Sequence, residues 1–366
     1  MAVLWCDDFN SYGTNIAYLS QGPYGEVGTI SSSPALVNDP DPLVVGSKCF
    51  QAGKSAQSNI TDNNCLRKVL PANKTTLGVA LRLWMAALPA AEDMSVLPIV
   101  FKDPLNAILF SLWVTPTGAI YCVRNGRTYP GPTPLAQTSG PVLTANAWHH
   151  IECKAVFSAT VGTIEVRVDG VAVINATNLD NIGTASPSGC ASVAQVFDND
   201  SSGAGVNWYI KDYVIWDSTG SHNNDFMGTV RVLRLPVDGD VSLNWTPSTG
   251  STGWDLIDET PPVDSDYISA ATPPPSPCVM SFANLPPDVT SVRALMTFVR
   301  ASNSDGGDGK LQTSLVSNGV DANGADRQIT VADTYWADVQ EVDPDTTTSW
   351  TPASTDAANI KFNRTL

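Results

Sequence analysis

The residues of this chain that could do chemistry are few and scattered. Glutamate occurs only at positions 26, 92, 152, 165, 259 and 341, and histidine only at 149, 150 and 222. Glu165 and Asp169 lie four residues apart on an expected strand and point to one face. Hydrolysis of a glycoside needs two carboxylates across the sugar, about 5–9.5 Å apart. Four strand residues span ~13 Å, too wide for that task, so this pair reads as a solvated face. His149 and His150 are adjacent, and neighbours on a strand face opposite ways, so the two cannot ligate one ion from it. No persuasive Ser-His-Asp order, GxGxxG or P-loop spacing is present. No catalytic residue is expected, and the chain is expected not to be an enzyme.

Two other residue sets could bind rather than react. Asp198, Asn199 and Asp200, in Phe197-Asp198-Asn199-Asp200-Ser201-Ser202-Gly203, offer the hard oxygen donors that calcium takes. Asp7 and Asp8 could approach them from the first strand; the alternative is an empty polar loop. No other cofactor is expected. Trp84, Trp113, Trp148, Trp208 and Trp216 all fall in expected strands. Rings facing inward fill a core, and rings facing outward could stack on sugars. Trp84, Trp113 and Trp208 are the ligand-binding candidates, and Trp148, at the head of a central strand, is expected to be buried. The seven cysteines, at 6, 49, 65, 122, 153, 190 and 278, are odd in number and show no CxxC spacing. Reduced structural thiols are expected, and the histidines are a poor set for zinc.

These side chains must be carried by β-structure. In Gly162–Val173, Val166 and Val168 alternate with Glu165, Arg167 and Asp169, the period-two pattern of a half-buried strand, and Asp169-Gly170 supplies hairpin-turn residues. Strands are expected at 47–51, 65–70, 76–86, 96–101, 108–114 and 119–124, and at 148–157, 163–168, 171–176, 192–197 and 206–217. Thr115-Pro116-Thr117-Gly118 and Asn125-Gly126 are turn signals between them. Tyr129-Pro130-Gly131-Pro132-Thr133-Pro134 reads as a stiff surface loop. Further strands are expected at 278–285, 289–302, 310–317, 327–332, 335–340 and 359–363, with Ser304–Gly309 as a hairpin tip. Thr229–Leu235 alternates and could join either group. The stretch between them, rich in Pro, Gly, Asp, Ser and Thr, reads as a wrapping connector in which Trp245, Trp254 and Tyr267 find partners. The spacing predicts an all-β protein: an antiparallel jelly-roll sandwich over 1–227, an extended connector over 228–277 and a smaller β-sandwich over 278–366.

Composition agrees. The 366 residues exceed what one sandwich needs, 43% are hydrophobic, only 15% are charged, and Gly (27) and Pro (26) are plentiful turn formers. The net charge of −16 repels phosphate backbones and anionic lipid, so neither nucleic acid nor a membrane is an expected partner. No apolar run approaches the ~18 residues of a membrane span. The start, Met1-Ala2-Val3-Leu4-Trp5-Cys6-Asp7-Asp8, lacks a basic and then apolar leader, so folding in a cytoplasm is expected.

Trp148-His149-His150-Ile151-Glu152-Cys153-Lys154, followed by the Val166-Arg167-Val168-Asp169-Gly170 hairpin, resembles the laminin-G-like and concanavalin-A-like jelly rolls. That resemblance implies a fold that holds or binds, sometimes with calcium at its rim. Its glycosidases often carry E-x-D-x-x-E on one strand, which this chain lacks. Asp217–Val232 resembles the D-x-x-G-x-x-N-N-D-F-x-G-x-x-R-V junction of a group of tailed-phage virion proteins. The likeness continues through Trp245-Thr246-Pro247-Ser248, Gly253-Trp254, Asp258-Glu259-Thr260-Pro261-Pro262 and Trp350-Thr351. It implies a non-enzymatic structural component of a virion, made in the host cytoplasm and associated with the tail or baseplate. A capsid decoration protein and a carbohydrate-binding host-recognition adhesin are the alternatives. The implied partners are other virion proteins, further copies of the chain, with a trimer by analogy, and host surface glycan.

Overall fold

The computed structural model describes residues 2–21, 24–27, 35–41, 47–52, 64–90, 96–124, 134–183, 189–197, 206–271, 276–304 and 309–365. The first body contains strands β1 (Val3–Asp7), β2 (Glu26–Val27), β3 (Ala35–Asn38), β4 (Lys48–Ala52) and β5 (Asn64–Lys74). They are followed by β6 (Thr76–Met85), β7 (Val96–Lys102), β8 (Ile108–Val114), β9 (Ile120–Arg124) and β10 (Ala136–Gln137). It closes with β11 (Trp148–Val156), β12 (Gly162–Val168), β13 (Val171–Leu179), β14 (Cys190–Phe197) and β15 (Trp208–Asp217). These form two antiparallel sheets. The eight-stranded one runs β13-β12-β11-β6-β15-β4-β3, with β1 added on β15; the seven-stranded one runs β10-β9-β8-β7-β14-β5-β2. The all-β jelly roll expected from the alternation is the fold observed.

Period two decides what lies between the sheets. On β6, Leu77, Val79, Leu81, Leu83 and Met85 enter the main core, while Gly78, Ala80, Arg82 and Trp84 take the outer face. Asp169 and Gly170 have φ of 50° and 84°, the paired positive values that a two-residue hairpin turn requires, and they join β12 to β13.

The second body contains β16 (Val237–Ser242), β17 (Thr246–Pro247), β18 (Ile268–Ser269), β19 (Cys278–Phe282) and β20 (Leu295–Ala301). After them come β21 (Lys310–Ser317), β22 (Val320–Asn323), β23 (Arg327–Gln328), β24 (Thr334–Gln340) and β25 (Asn359–Thr365). One sheet runs β16-β19-β25-β21-β22 with β23 on β21, and β20 pairs with β24. Part of the expected connector is thus a sheet strand, β16. Trp245 and Trp254 pack against the second core, whereas Tyr267 is 52% exposed and corrects the expectation of burial. A short helix, α1 (Pro352–Asp356), was not legible. It starts at a capping box in which Thr351 Oγ1 accepts from Ser354 N and Ser354 Oγ accepts from Thr351 N.

The expected hairpin tip at Ser304–Gly309 falls largely on residues 305–308, which lie outside the described residues; the strands on either side, β20 and β21, belong to different sheets. Thr229–Leu235 forms no strand. It belongs to a strap that crosses the outer face of the eight-stranded sheet. Glu152 accepts from Met227 N at 3.0 Å and Asp212 from Val232 N at 2.8 Å. Phe226 packs on Trp216 and lies under the Arg167 guanidinium, 3.8 Å from the ring centroid. The Asn-Asn-Asp-Phe block is therefore a docking device. Asn223 donates to Arg293 O and Glu341, and Asp225 binds Lys154 at 2.9 Å.

Trp216 lies fully buried beneath this strap, on the outer face. It has room only because Gly78 lies below it: a Cβ built at Gly78 falls 2.0 Å from Trp216 Cε2. Gly78→Ala is expected to destabilise the protein by ~1–3 kcal/mol or more, the cost of overpacking. A chemical-denaturation midpoint equal to that of the wild type would show that the ring shifts freely.

Candidate functional site

Cross-strand register lines up two rows on the outer face of the eight-stranded sheet. Trp148 on β11 lies opposite Trp84 on β6, which lies opposite Tyr209 on β15, which lies opposite Gln51 on β4. One pair further along the strands, His150 faces Arg82 and Arg82 faces Lys211. The first row is aromatic and half-buried. The second is cationic by residue type, with His150 and Lys211 buried and Arg82 half-buried.

The aromatic row is held by polar contacts. Trp84 and Tyr209 meet edge to face at 5.2 Å, and Gln51 Nε2 donates to the Tyr209 hydroxyl at 3.2 Å. Trp148 donates its indole N–H to Asp39 at 3.0 Å, and the Lys211 ammonium lies over its ring, 4.3 Å from the centroid. Trp148 is therefore not the core residue expected. The side chains alternate, Ile151 and Cys153 take the core, and Trp148 goes out with His150 and Glu152.

In the enclosed row the charges cancel. Lys211 forms a salt bridge with Asp39, both almost without solvent contact. Arg82 Nε lies 3.4 Å from Asp212 Oδ2, an ion pair without hydrogen-bond geometry. Lys211 and Asp212 are consecutive yet share a face because β15 bulges there: Asp212 has φ 51° and the register with β6 slips between Lys211 and Val214. Burial raises the Asp212 carboxyl, opposed by Val232 N–H and the Arg82 charge. His150, 2% exposed, is pushed down to about 4 by burial and then by Arg82, with Asp169 pulling the other way. Its ring is neutral at ordinary pH, and among the described residues neither nitrogen has a hydrogen-bond partner.

The other expected residues lie elsewhere. Trp208 is fully buried between the sheets, with no face open to a ligand. Trp113 lies in a separate apolar cluster with Leu97, Val100, Val123, Ala194 and Val196 and donates to Ser111 Oγ at 2.8 Å. Asp198, Asn199 and Asp200 lie outside the described residues. Asp7 is committed to Tyr12, Tyr24 and Phe9 N–H, and among the described residues no three His, Cys, Asp or Glu converge as metal ligands. Glu165 pairs with Arg167 on its own strand at 2.8 Å. His149 accepts from Thr144 N at Nε2, so its Nδ1–H donates to Asp169 at 2.8 Å. Of the five tryptophans in expected strands, only Trp84 and Trp148 are half-buried; Tyr209, Gln51, Arg82 and Lys211 complete the site. A signal for the site existed: the apolar phase of Trp208-Tyr-Ile-Lys-Asp-Tyr-Val-Ile-Trp breaks at Lys211-Asp212, where a bulge belongs.

No protein-family model and no curated protein sequence matches the chain. Solved structures do. They include a cellulose-induced protein, Cip1, at 14% identity and a TM-score of 0.40, covering 58% of this chain and 96% of that one. The alginate lyase Aly36B matches at 11% identity and 0.40, covering 58% and 95%. An endo-1,3-β-glucanase from Streptomyces sioyaensis matches at 14% and 0.37, covering 58% and 95%. At this identity the likeness bears on the fold. The expectation of a non-enzymatic virion component, tail- or baseplate-associated or a capsid decoration protein, is corrected: the structures that share this fold include alginate lyases and glucanases. The strap explains the junction motif as packing.

Two outcomes follow from the charges. Lys211→Met leaves Asp39 buried and unpaired, and a loss of ~3–5 kcal/mol is expected in urea unfolding; a loss under 1 kcal/mol would show that water already reaches Asp39. For His150 the depressed folded value means that its stability contribution is complete above pH 6.5 and is lost as pH falls through about 4. The difference in stability between wild type and His150→Leu is expected to change by up to about 3 kcal/mol across that window. A difference independent of pH would show that the imidazole is hydrated.

Proposed function

We propose that the chain is a carbohydrate-active β-sandwich that holds a polysaccharide against the outer face of its eight-stranded sheet, over Trp84, Tyr209 and Trp148. The observation that carries this reading is the half-buried aromatic row across three adjacent strands. Neighbouring strands lie ~4.8 Å apart, so the row offers rings at a step comparable with that between sugars in an extended chain. Sugar rings present C–H faces to aromatic rings and hydroxyls to polar groups around them. Gln51 and the Asp39 carboxylate are the polar groups bonded to the row. Lys211 already occupies one face of Trp148, which leaves Trp84 and Tyr209 as the principal platform.

Tyr209 is the titratable oxygen of the row. Burial, then Cys49, raises its pKa, so the phenol stays protonated at neutral pH and can donate a hydrogen bond to the charge that develops on a departing oxygen. A fluorescence titration and a product assay against alginate, β-1,3-glucan and cellulose oligosaccharides test the reading. Saturable binding to one of them is expected, weakened ~30-fold or more in Trp84→Ala, the loss typical of a central aromatic contact. Product release, where it accompanies binding, is expected to fall in Tyr209→Phe while binding is retained. Binding to none of the three, or binding unchanged in Trp84→Ala, would remove this face from consideration.

A further inference from the structure

We propose that the junction between the jelly roll and the second body is a pH-sensitive latch, in which the buried Asp7 carboxyl group behind the docking surface holds the β20–β24 hairpin more firmly as the solution is acidified.

The geometry is a carboxyl group wrapped by the rings on which the hairpin sits. Asp7 is 6% exposed. Its Oδ2 accepts from the Tyr12 hydroxyl at 2.7 Å and the Tyr24 hydroxyl at 2.8 Å, and its Oδ1 from Phe9 N at 2.7 Å. The Tyr12 ring meets Phe298 of β20 at 5.7 Å and Tyr335 of β24 at 6.2 Å. Trp5 donates to the Tyr24 hydroxyl at 3.2 Å, and its ring meets Phe298 at 6.1 Å. Phe298 and Tyr335 stack on each other at 5.0 Å. Lifting the hairpin would uncover the Tyr12 ring, whose hydroxyl binds the carboxyl, and the Trp5 ring, which binds the Tyr24 hydroxyl.

Charged and titratable groups approach from every side. Cys6 and Asp8 flank Asp7 on its own segment, Tyr12 and Tyr24 follow in the chain, and Tyr213 approaches from β15. From β5 the Lys68 ammonium lies 3.4 Å from the Trp5 ring centroid; burial lowers it to about 8 while Asp7 pulls it up. Tyr335 and Arg300 stand on the hairpin, where Arg300 binds Asp264 and Asp333, and Arg234 acts on Asp8. Burial, and then the charge of Asp8, raise Asp7 from 3.8 to about 7, against the hydrogen bonds it accepts.

The sign follows from linkage. Asp7 binds its proton more tightly when the hairpin is docked than when water reaches it. Docking is therefore strongest below pH 3.8 and is weakened as pH rises through about 7. Between pH 8 and pH 5 the docking constant changes by up to ~100-fold, because each pH unit within the window is worth up to tenfold. His150 acts with the opposite sign, but on unfolding of the jelly roll, so a local measurement separates the two.

Hydrogen exchange of the full chain at pH 5, 6, 7 and 8, corrected for intrinsic rates, tests the latch. Protection of 295–301 and 334–340, relative to 151–168, is expected to fall as pH rises, by up to ~100-fold. Asp7→Asn is expected to flatten the dependence. Tyr24→Phe removes one donor to the carboxylate, leaves Asp7 in place, and is expected to move the transition to higher pH. Hairpin protection that does not vary with pH in the wild type, or a wild-type dependence in Asp7→Asn, would overturn the proposal. Should Asp7→Asn fail to fold, an unshifted transition in Tyr24→Phe would overturn it equally.

Discussion

The structure depends on carboxylates buried on what would ordinarily be the solvent face of the eight-stranded sheet. An antiparallel sheet commonly packs one face and wets the other. Here Glu152 and Asp212 receive backbone N–H groups of the strap, and Asp39 receives Lys211 and the Trp148 indole. Buried carboxylates without such donors would be costly. The strap, the Asp39 segment and the sheet are therefore bound together by one requirement: each enclosed carboxylate needs at least one donor, and the donors come from chain segments far apart in sequence.

The same covering sets where a ligand can be held. The strap and the second body occupy the part of this face around Val3, Ala80, Val214 and Trp216. The end of the face carrying Trp84, Tyr209 and Trp148 remains half-open. The ion pairs beneath are nearly neutral in sum, so they orient the rings without imposing a strong field. The aromatic platform is thus the remainder of a surface that is otherwise used for assembling the molecule.

The two bodies are not beads on a tether. Glu341 of the second body accepts from Ala2 N and Val3 N of β1 at 2.8 and 3.1 Å, and from Asn223 of the strap. Trp5, Tyr12, Phe298 and Tyr335 form one aromatic cluster across the junction. Burial pushes Asp7 up and His150 down, so acidification strengthens the junction and strains the sheet face over overlapping pH ranges.

Alternation and turn chemistry were legible without coordinates, because they act between residues close in sequence. The strands Ile108–Val114 and Lys310–Ser317 have the bounds that their pattern implies, and the Asp169-Gly170 hairpin follows from the positive φ those residues tolerate. What alternation cannot say is which face is covered, and by what. Trp84, Trp113 and Trp208 all sit in well-formed strands. One is half-open, one lies in a separate apolar cluster, and one fills the core, according to which distant segment lies over each. Trp148 goes outward although it heads a central strand, and the bulge at Asp212 turns two successive charges to one side. The strap is held on this face by Glu152 and Asp212, residues far from it in sequence. The sequence by itself determined the sandwich and its turns, since those need only local backbone preference and period two. The tertiary structure alone decided the aromatic platform and the Asp7 junction, since both depend on contacts between residues hundreds of positions apart.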